Sequence, residues 1–348
     1  MAQHRIRWTV QIQTRREFIE RSLLATACVG FAACSSADLN SQQNSGLPQS
    51  TGNVPGGPLT QYGAITPNEH FYVTSCCGNP VVDATTWAIS IKNRGVEIAS
   101  VDYATLRKLP ARNKEHTLEC ISAGPGYFAI SNAVWTGLPL AEVFDAIGVQ
   151  IPAGTLELVF RSVEDYSASL PMADLEKPAW LVWLMNGVEL PPEHGFPARL
   201  LVPGRYGMKN PKWITSIDFV DTPFTGYWDK SGWSKEAPYL TNTLVSVPSA
   251  DVPAGAIVAS GTAFAGSDPV TSVEVSVDGG EWHPATLDYA PGPDIWALWH
   301  YDMALDRGSH SLQARCTTQS GSHSGPAPNA TDTWAGFDGS NRVTFNVT

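Results

Sequence analysis

Between Asn186 and Trp213 the chain runs NGVELPPEHGFPARLLVPGRYGMKNPKW, and the turn residues in it leave few ways to fold. An apolar run, Leu181 to Met185, meets Asn186-Gly187, the dipeptide that closes a two-residue hairpin. A second extended run, Arg199 to Val202, is then stopped by Pro203-Gly204. The stretch is also inverted in charge. From His194 to Lys212 it holds Arg199, Arg205, Lys209 and Lys212 and no acid, within a chain of formal net charge -11. Glycines at 195, 204 and 207 leave room for backbone N–H groups to approach a ligand. Strand, turn and cation together predict an anion cradle, with a plain hairpin carrying surface cations as the alternative.

At 348 residues, 43% hydrophobic and 16% charged, the chain is long enough for two globular domains behind a leader. Its acidic balance leaves no basic face for a phosphate backbone, which excludes nucleic acid as a partner. Twelve Trp and 26 Pro favour packed strands and fixed turns over helical bundles.

The leader, residues 1–34, contains RREFIERSLLATACVGFAAC after a basic start, an apolar stretch too short to span a bilayer. Thr14-Arg15-Arg16-Glu17-Phe18-Ile19 resembles a twin-arginine export signal, the route for proteins exported already folded, and predicts a periplasmic or extracytoplasmic location. Phe31-Ala32-Ala33-Cys34 resembles a lipoprotein cleavage box, so Cys34 is a candidate membrane anchor, with ordinary signal-peptide cleavage as the alternative. Residues 35–57, rich in Ser, Asn, Gln and Gly, would form a flexible linker. Of the cysteines left after the leader, the adjacent Cys76-Cys77 is a poor pair, and no spacing implies a disulfide framework or a zinc site.

Residues 58–245 form the larger predicted domain. Asn68, His70, Phe71 and Tyr72 lie in Thr66 to Val73, a turn feeding a strand. Trp87 to Ile91 and Leu156 to Phe160 read as strands, Tyr103 to Leu109 as a helix capped by Asp102, and Leu138 to Ile147 as a second, amphipathic helix. His116 to Cys120 alternates as a strand that ends at the small-residue loop Ser122 to Gly126. A Cys at such an end can face a cavity and ligate a thiophilic metal; a small buried apolar residue or a disulfide with Cys316 or Cys76 are the alternatives.

The spelling of the basic stretch, with HGFPxR, VPGxYG and KW in order, resembles the sulfite oxidase family of molybdenum-cofactor proteins. So do TPNEHFYV at 66–73, Thr117-Leu118-x-Cys120, and the run from Ala129 through Ser131 and Trp135 to Gly137. The resemblance implies an α+β molybdopterin-binding domain in which Cys120 ligates molybdenum. Asn68, His70, Phe71, Tyr72, Ser131, His194, Arg199, Lys209 and Lys212 would hold the molybdopterin. Four departures stand out. Thr74, Gly124-Pro125 and Val134 replace arginines of the family's sulfite oxidases, and Trp233 stands for an active-site Tyr.

Residues 246–348 hold regularly spaced strands, Ile257 to Phe264, Ser272 to Val277, Trp296 to Tyr301, Leu312 to Thr317 and Arg342 to Val347, a small sandwich of immunoglobulin-like class. The resemblance extends to the family's dimerisation domain and implies a homodimer. The activity it implies is two-electron oxygen-atom transfer on a small molecule, sulfite by family default. With the arginines gone, a less charged substrate such as a sulfoxide is the alternative, unless Arg112 or Lys114 supplies charge from a nearby loop. No C-x-x-C-H haem motif occurs, so a separate redox partner, such as a c-type cytochrome, would exchange electrons. A cofactor-retaining scaffold without turnover remains the reading from another class.

Overall fold

The computed structural model describes residues 63–76, 78–173, 178–325 and 334–348. The predicted leader and linker lie outside them. Two sheets build the first part of the chain. In one, Val96–Asp102, Ala88–Asn93, Ile214–Val220, Glu157–Ser162 and Ser167–Pro171 lie side by side in that order. Its neighbours are antiparallel except Ala88–Asn93 and Ile214–Val220, which run parallel with Ile91 opposite Ile217. The other sheet orders Arg112–Glu119, Ile130–Pro139, Trp180–Met185 and Val188–Glu189, and Arg199–Leu201 also pairs with Trp180–Met185.

The Trp180–Met185 strand is apolar throughout because both of its faces are covered. Leu181 and Trp183 enter a core with Ile89, Leu158 and Phe144, whereas Val182 enters another with Phe71, Leu118 and Trp135. Each such side chain contributes about 1.5–3 kcal/mol by leaving water. The ladder bulges at Gly137, where a Cβ would lie 2.1 Å from the Leu181 carbonyl oxygen, so only glycine permits this approach. The Asn186-Gly187 turn forms as expected, with φ of 50° and 82°.

The α+β expectation is corrected to a mostly β fold. Asp102 caps a helix by accepting from Thr105 N at 2.7 Å, but that helix spans only Tyr103–Leu106, because the chain turns ahead of Pro110. The second helix is Leu140–Ala146; Leu138 and Pro139 belong instead to the preceding strand. The strand expected at the end of Thr66 to Val73 is absent. Asn68–His70 is a single 3-10 turn, and Tyr72 N donates to Ser131 Oγ at 3.1 Å rather than to a ladder carbonyl.

Toward the C-terminus two sheets face one another. Thr286–Tyr289, Ala297–Leu305, Gly255–Phe264, Asn242–Val247 and Gly339–Ser340 form one, and Trp282–Pro284, Val270–Val277, Gly308–Thr318 and Arg342–Val347 the other. Val245, Ile257, Ala259 and Trp299 from the first meet Val273, Val275, Ala314 and Phe345 from the second. This unit also braces the Arg112–Glu119 strand. Thr117 N donates to Asp294 O at 2.9 Å, Trp296 N to Thr117 Oγ1 at 2.9 Å, and Asn242 Nδ2 to the Glu119 carboxyl. No helix among the described residues is long and apolar enough to cross a membrane.

Candidate active site

The braced strand delivers Cys120 to a cleft. Phe71, Tyr72, Thr74, Cys120, Tyr166, His194, Arg199, Lys212, Trp228 and Trp233 are on its wall, and the space they enclose, mouth included, is about 880 Å³, within the range of small-molecule sites. Two glycines mark its ends. A Cβ on Gly207 would lie 2.9 Å from the Tyr72 hydroxyl and 3.9 Å from Cys120 Cα; one on Gly195 would lie 3.1 Å from Cβ of both Arg199 and Lys212. Backbone therefore approaches the Glu119-Cys120 segment at one end and the cations at the other.

At the cation end the Asn-Gly turn sets the geometry. Asn186 Nδ2 donates to Thr66 O and to Asn68 Oδ1, at 2.9 and 2.8 Å, which pins the irregular segment. The Asn68 carbonyl then lies 2.8 Å from His194 Nε2. A carbonyl only accepts, so Nε2 carries the proton. Burial lowers the His194 pKa to about 4, so the ring is neutral and its Nδ1 keeps a lone pair. Arg199 is 5% exposed, donates to the carbonyls of His194 and Asn210, and lies over the Trp135 ring at 5.1 Å. Burial lowers its pKa to about 10, which leaves it charged at neutral pH. Lys212 Nζ donates to Glu193 O at 2.8 Å and sits over the Trp213 ring.

The structure separates the other predicted residues from this wall. Lys209 is 3% exposed and lies 3.1 Å from Asp229, so its charge is matched internally. Asn68 and Ser131 serve as braces, through His194 and Tyr72. His70 is not on the cleft wall. Arg112 and Lys114 are strand residues; Arg112 pairs with Glu142 at 2.6 Å and Lys114 stands 3.8 Å from Asp294, so neither charges the cleft.

At the other end Cys120 is a free, buried thiol, as is Cys316, which removes the disulfide alternative for both. Cys76, also on the wall, is disulfide-bonded and so is not available to Cys120. Burial pushes the Cys120 pKa up, opposed by hydrogen bonds from Ser122 and Thr74. Tyr166 donates to the Met208 carbonyl, and Trp233 packs edge-on against Trp334 with centroids 4.8 Å apart. The sequence carried no signal for Ser162, Met208 or Asn210 on this wall, although all three are buried there. Asn210 holds the basic loop by accepting from Val202 N and donating to the carbonyls of Arg205 and Tyr206.

Residues 77–228 match the family model of the oxidoreductase molybdopterin binding domain. The chain is 28% identical to sulfite oxidase of Gallus gallus, covering 70% of this chain and 64% of that one. The chain carries an oxidoreductase molybdopterin binding domain and is similar to the sulfite oxidase family of molybdopterin-dependent oxidoreductases. Mitochondrial sulfite oxidase of Drosophila melanogaster is 27% identical over 70% of this chain and 45% of its own, so the chain spans less than two thirds of these relatives. The fold is that of the sulfane dehydrogenase SoxCD structure from Paracoccus pantotrophus, with a TM-score of 0.69, 22% identity and coverage of 85% and 87% of the two chains.

The cofactor of this family of domains is molybdenum held by molybdopterin, and the cleft fits it. Among the described residues, Nε of Arg199 and Oγ of Ser162 are buried without a hydrogen-bond partner, which suits an anionic ligand with both donors and acceptors. Among the described residues no group of three His, Cys, Asp or Glu could hold a bare ion, so a metal beside the single thiol of Cys120 needs a chelating cofactor.

Proposed function

We infer that the protein catalyses two-electron oxygen-atom transfer at the Cys120 end of the cleft. The observation that carries this is a free thiol at a strand end, sharing one cavity with a buried, incompletely partnered guanidinium. When bound, the molybdenum cofactor supplies the redox chemistry. The chain supplies the rest. Cys120 would ligate the metal as thiolate, giving up its proton to do so. Arg199 and Lys212 would hold the phosphate as cations, His194 would offer a neutral ring with a free Nδ1 lone pair, and Gly207 would leave room beside Cys120. Trp228 and Trp233 exclude water from the reacting end.

Substrate charge follows from the cations. Lys209 is matched by Asp229, Arg199 and Lys212 cluster at Gly195, and the side chains packed on or bonded to Cys120, those of Tyr72, Ser122, Ala123, Tyr127 and Ala129, carry no charge of either sign. Desolvating a dianion there without a facing cation is costly. The site therefore favours an uncharged sulfur substrate, of sulfoxide class, over sulfite. Sulfite oxidation is the second reading, supported by the names of the relatives. Turnover of cofactor-loaded protein with sulfite and with a dialkyl sulfoxide, using artificial electron carriers, separates the two. A larger kcat/KM for the sulfoxide supports the first, and a larger value for sulfite overturns it. Molybdenum without turnover of either supports a scaffold.

The leader motifs at Arg15-Arg16 and Cys34 support export after cofactor loading, with or without a lipid anchor. A separate redox protein completes the cycle, and the C-terminal sandwich offers a dimerisation surface of the kind the family resemblance implies.

A further inference from the structure

The sulfur of Cys120 stands among hydroxyls. Ser122 Oγ lies 3.0 Å from Sγ, both atoms buried, and Ser122 is 0% exposed. Thr74 shares the cleft wall with this sulfur, and its hydroxyl acts with Ser122 to lower the thiol pKa against burial. Thr74 Oγ1 is itself 3.0 Å from the Tyr127 hydroxyl. If Thr74 gives its single proton to sulfur, Tyr127 must give its own to Thr74, which fixes the Thr74 hydroxyl rotor. A thiol is a weak acceptor and a thiolate a strong one. This set of donors is best satisfied when the sulfur is negative, as it is in a metal bond.

Neither residue belongs to a motif that implies this. Thr74 occupies a position where the family's sulfite oxidases carry an arginine, and Ser122 lies in the small-residue loop. An arginine would place a full charge near substrate; a hydroxyl instead addresses the ligand. Hydrogen bonds to a metal-bound sulfur draw charge from it, leave the metal poorer in electrons, and favour its reduced state.

We propose that Ser122 and Thr74 are positioning residues that hold the Cys120 thiolate through O–H···S hydrogen bonds and raise the reduction potential of the metal it ligates. This rests on Cys120 being the ligand. Tyr127 acts through Thr74, and none of the three hydroxyls needs to touch substrate.

The test is a redox titration of cofactor-loaded protein, followed by the electron paramagnetic resonance of the one-electron-reduced metal, in wild type, Ser122→Ala, Thr74→Val and Thr74→Ser. Only molecules that carry metal contribute, so partial loading leaves the potential readable. Ser122→Ala and Thr74→Val each lower the reduced-to-oxidised ratio at fixed solution potential by about threefold to tenfold, tenfold being about 59 mV for one electron. Thr74→Ser stays at the wild-type value. Midpoints unchanged in both hydroxyl-deleting variants overturn the proposal, as does a loss of metal in both that is shared by Thr74→Ser. X-ray absorption of wild type tests the underlying ligand separately: if its molybdenum lacks a cysteine sulfur, the site assignment fails rather than the tuning.

Discussion

The side-chain amide of Asn242 lies 3.0 and 3.1 Å from the two carboxyl oxygens of Glu119, the residue before the candidate metal ligand. One partner opens the C-terminal sheet and the other ends the strand that delivers Cys120. Burial pushes the Glu119 carboxyl up to about 8, and the Asn242 hydrogen bond opposes that shift. Asn242→Ala leaves a buried carboxyl without this donor and lowers stability by about 1–3 kcal/mol. Urea unfolding of wild type and variant measures the loss. An unchanged midpoint shows that the two units do not depend on each other here.

Lys209 and Asp229 are 3% and 4% exposed as side chains. Removing one charge strands the other out of water. Asp229→Asn lowers stability by about 3–5 kcal/mol, while Lys209→Met with Asp229→Leu together cost less than the single change. Thermal denaturation of the three proteins checks the ordering.

Two histidines set an acid limit. Burial lowers the folded pKa of His116 and of His194 to about 4, against about 6.5 for an unperturbed imidazole. Above pH 6.5 both states leave the rings neutral. As pH falls from 6.5 toward 4 the unfolded chain takes up protons that the folded one refuses, so stability is lost across that window. His116→Gln is expected to lose stability more slowly over the same range, read by calorimetry at several pH values. Parallel curves contradict this.

Lys212 Nζ donates to the Glu193 carbonyl and sits over the Trp213 ring on the cleft wall, beside Arg199 at Gly195. Lys212→Ala lowers pterin occupancy, because the phosphate forfeits a charged donor worth about 1–3 kcal/mol. Extracted pterin per chain, measured by fluorescence, gives the result; full occupancy removes Lys212 from the cradle.

Local chemistry made much of this legible. Asn186-Gly187 announced its turn because few residues accept positive φ in succession, and Asp102 announced its cap. The Ile214–Val220 and Arg342–Val347 strands have the expected limits because branched and aromatic residues fill them. What failed was decided at a distance. Phe71 to Val73 looks extended, yet the Ser131 hydroxyl, fifty-nine residues away, takes the backbone proton of Tyr72. The basic stretch showed its four cations but not that Asp229 matches Lys209 while Arg199 keeps an open donor. Sign and spacing are written in the chain; which charge is matched depends on the tertiary fold.

The central claim is that Cys120 supplies a sulfur to molybdenum. Molybdenum K-edge absorption of protein matured with its cofactor, wild type and Cys120→Ser, tests it most directly. The account predicts one fewer sulfur neighbour in the variant, turnover lost and the fold retained. An equal sulfur count in the two proteins, or a wild type without molybdenum, contradicts it.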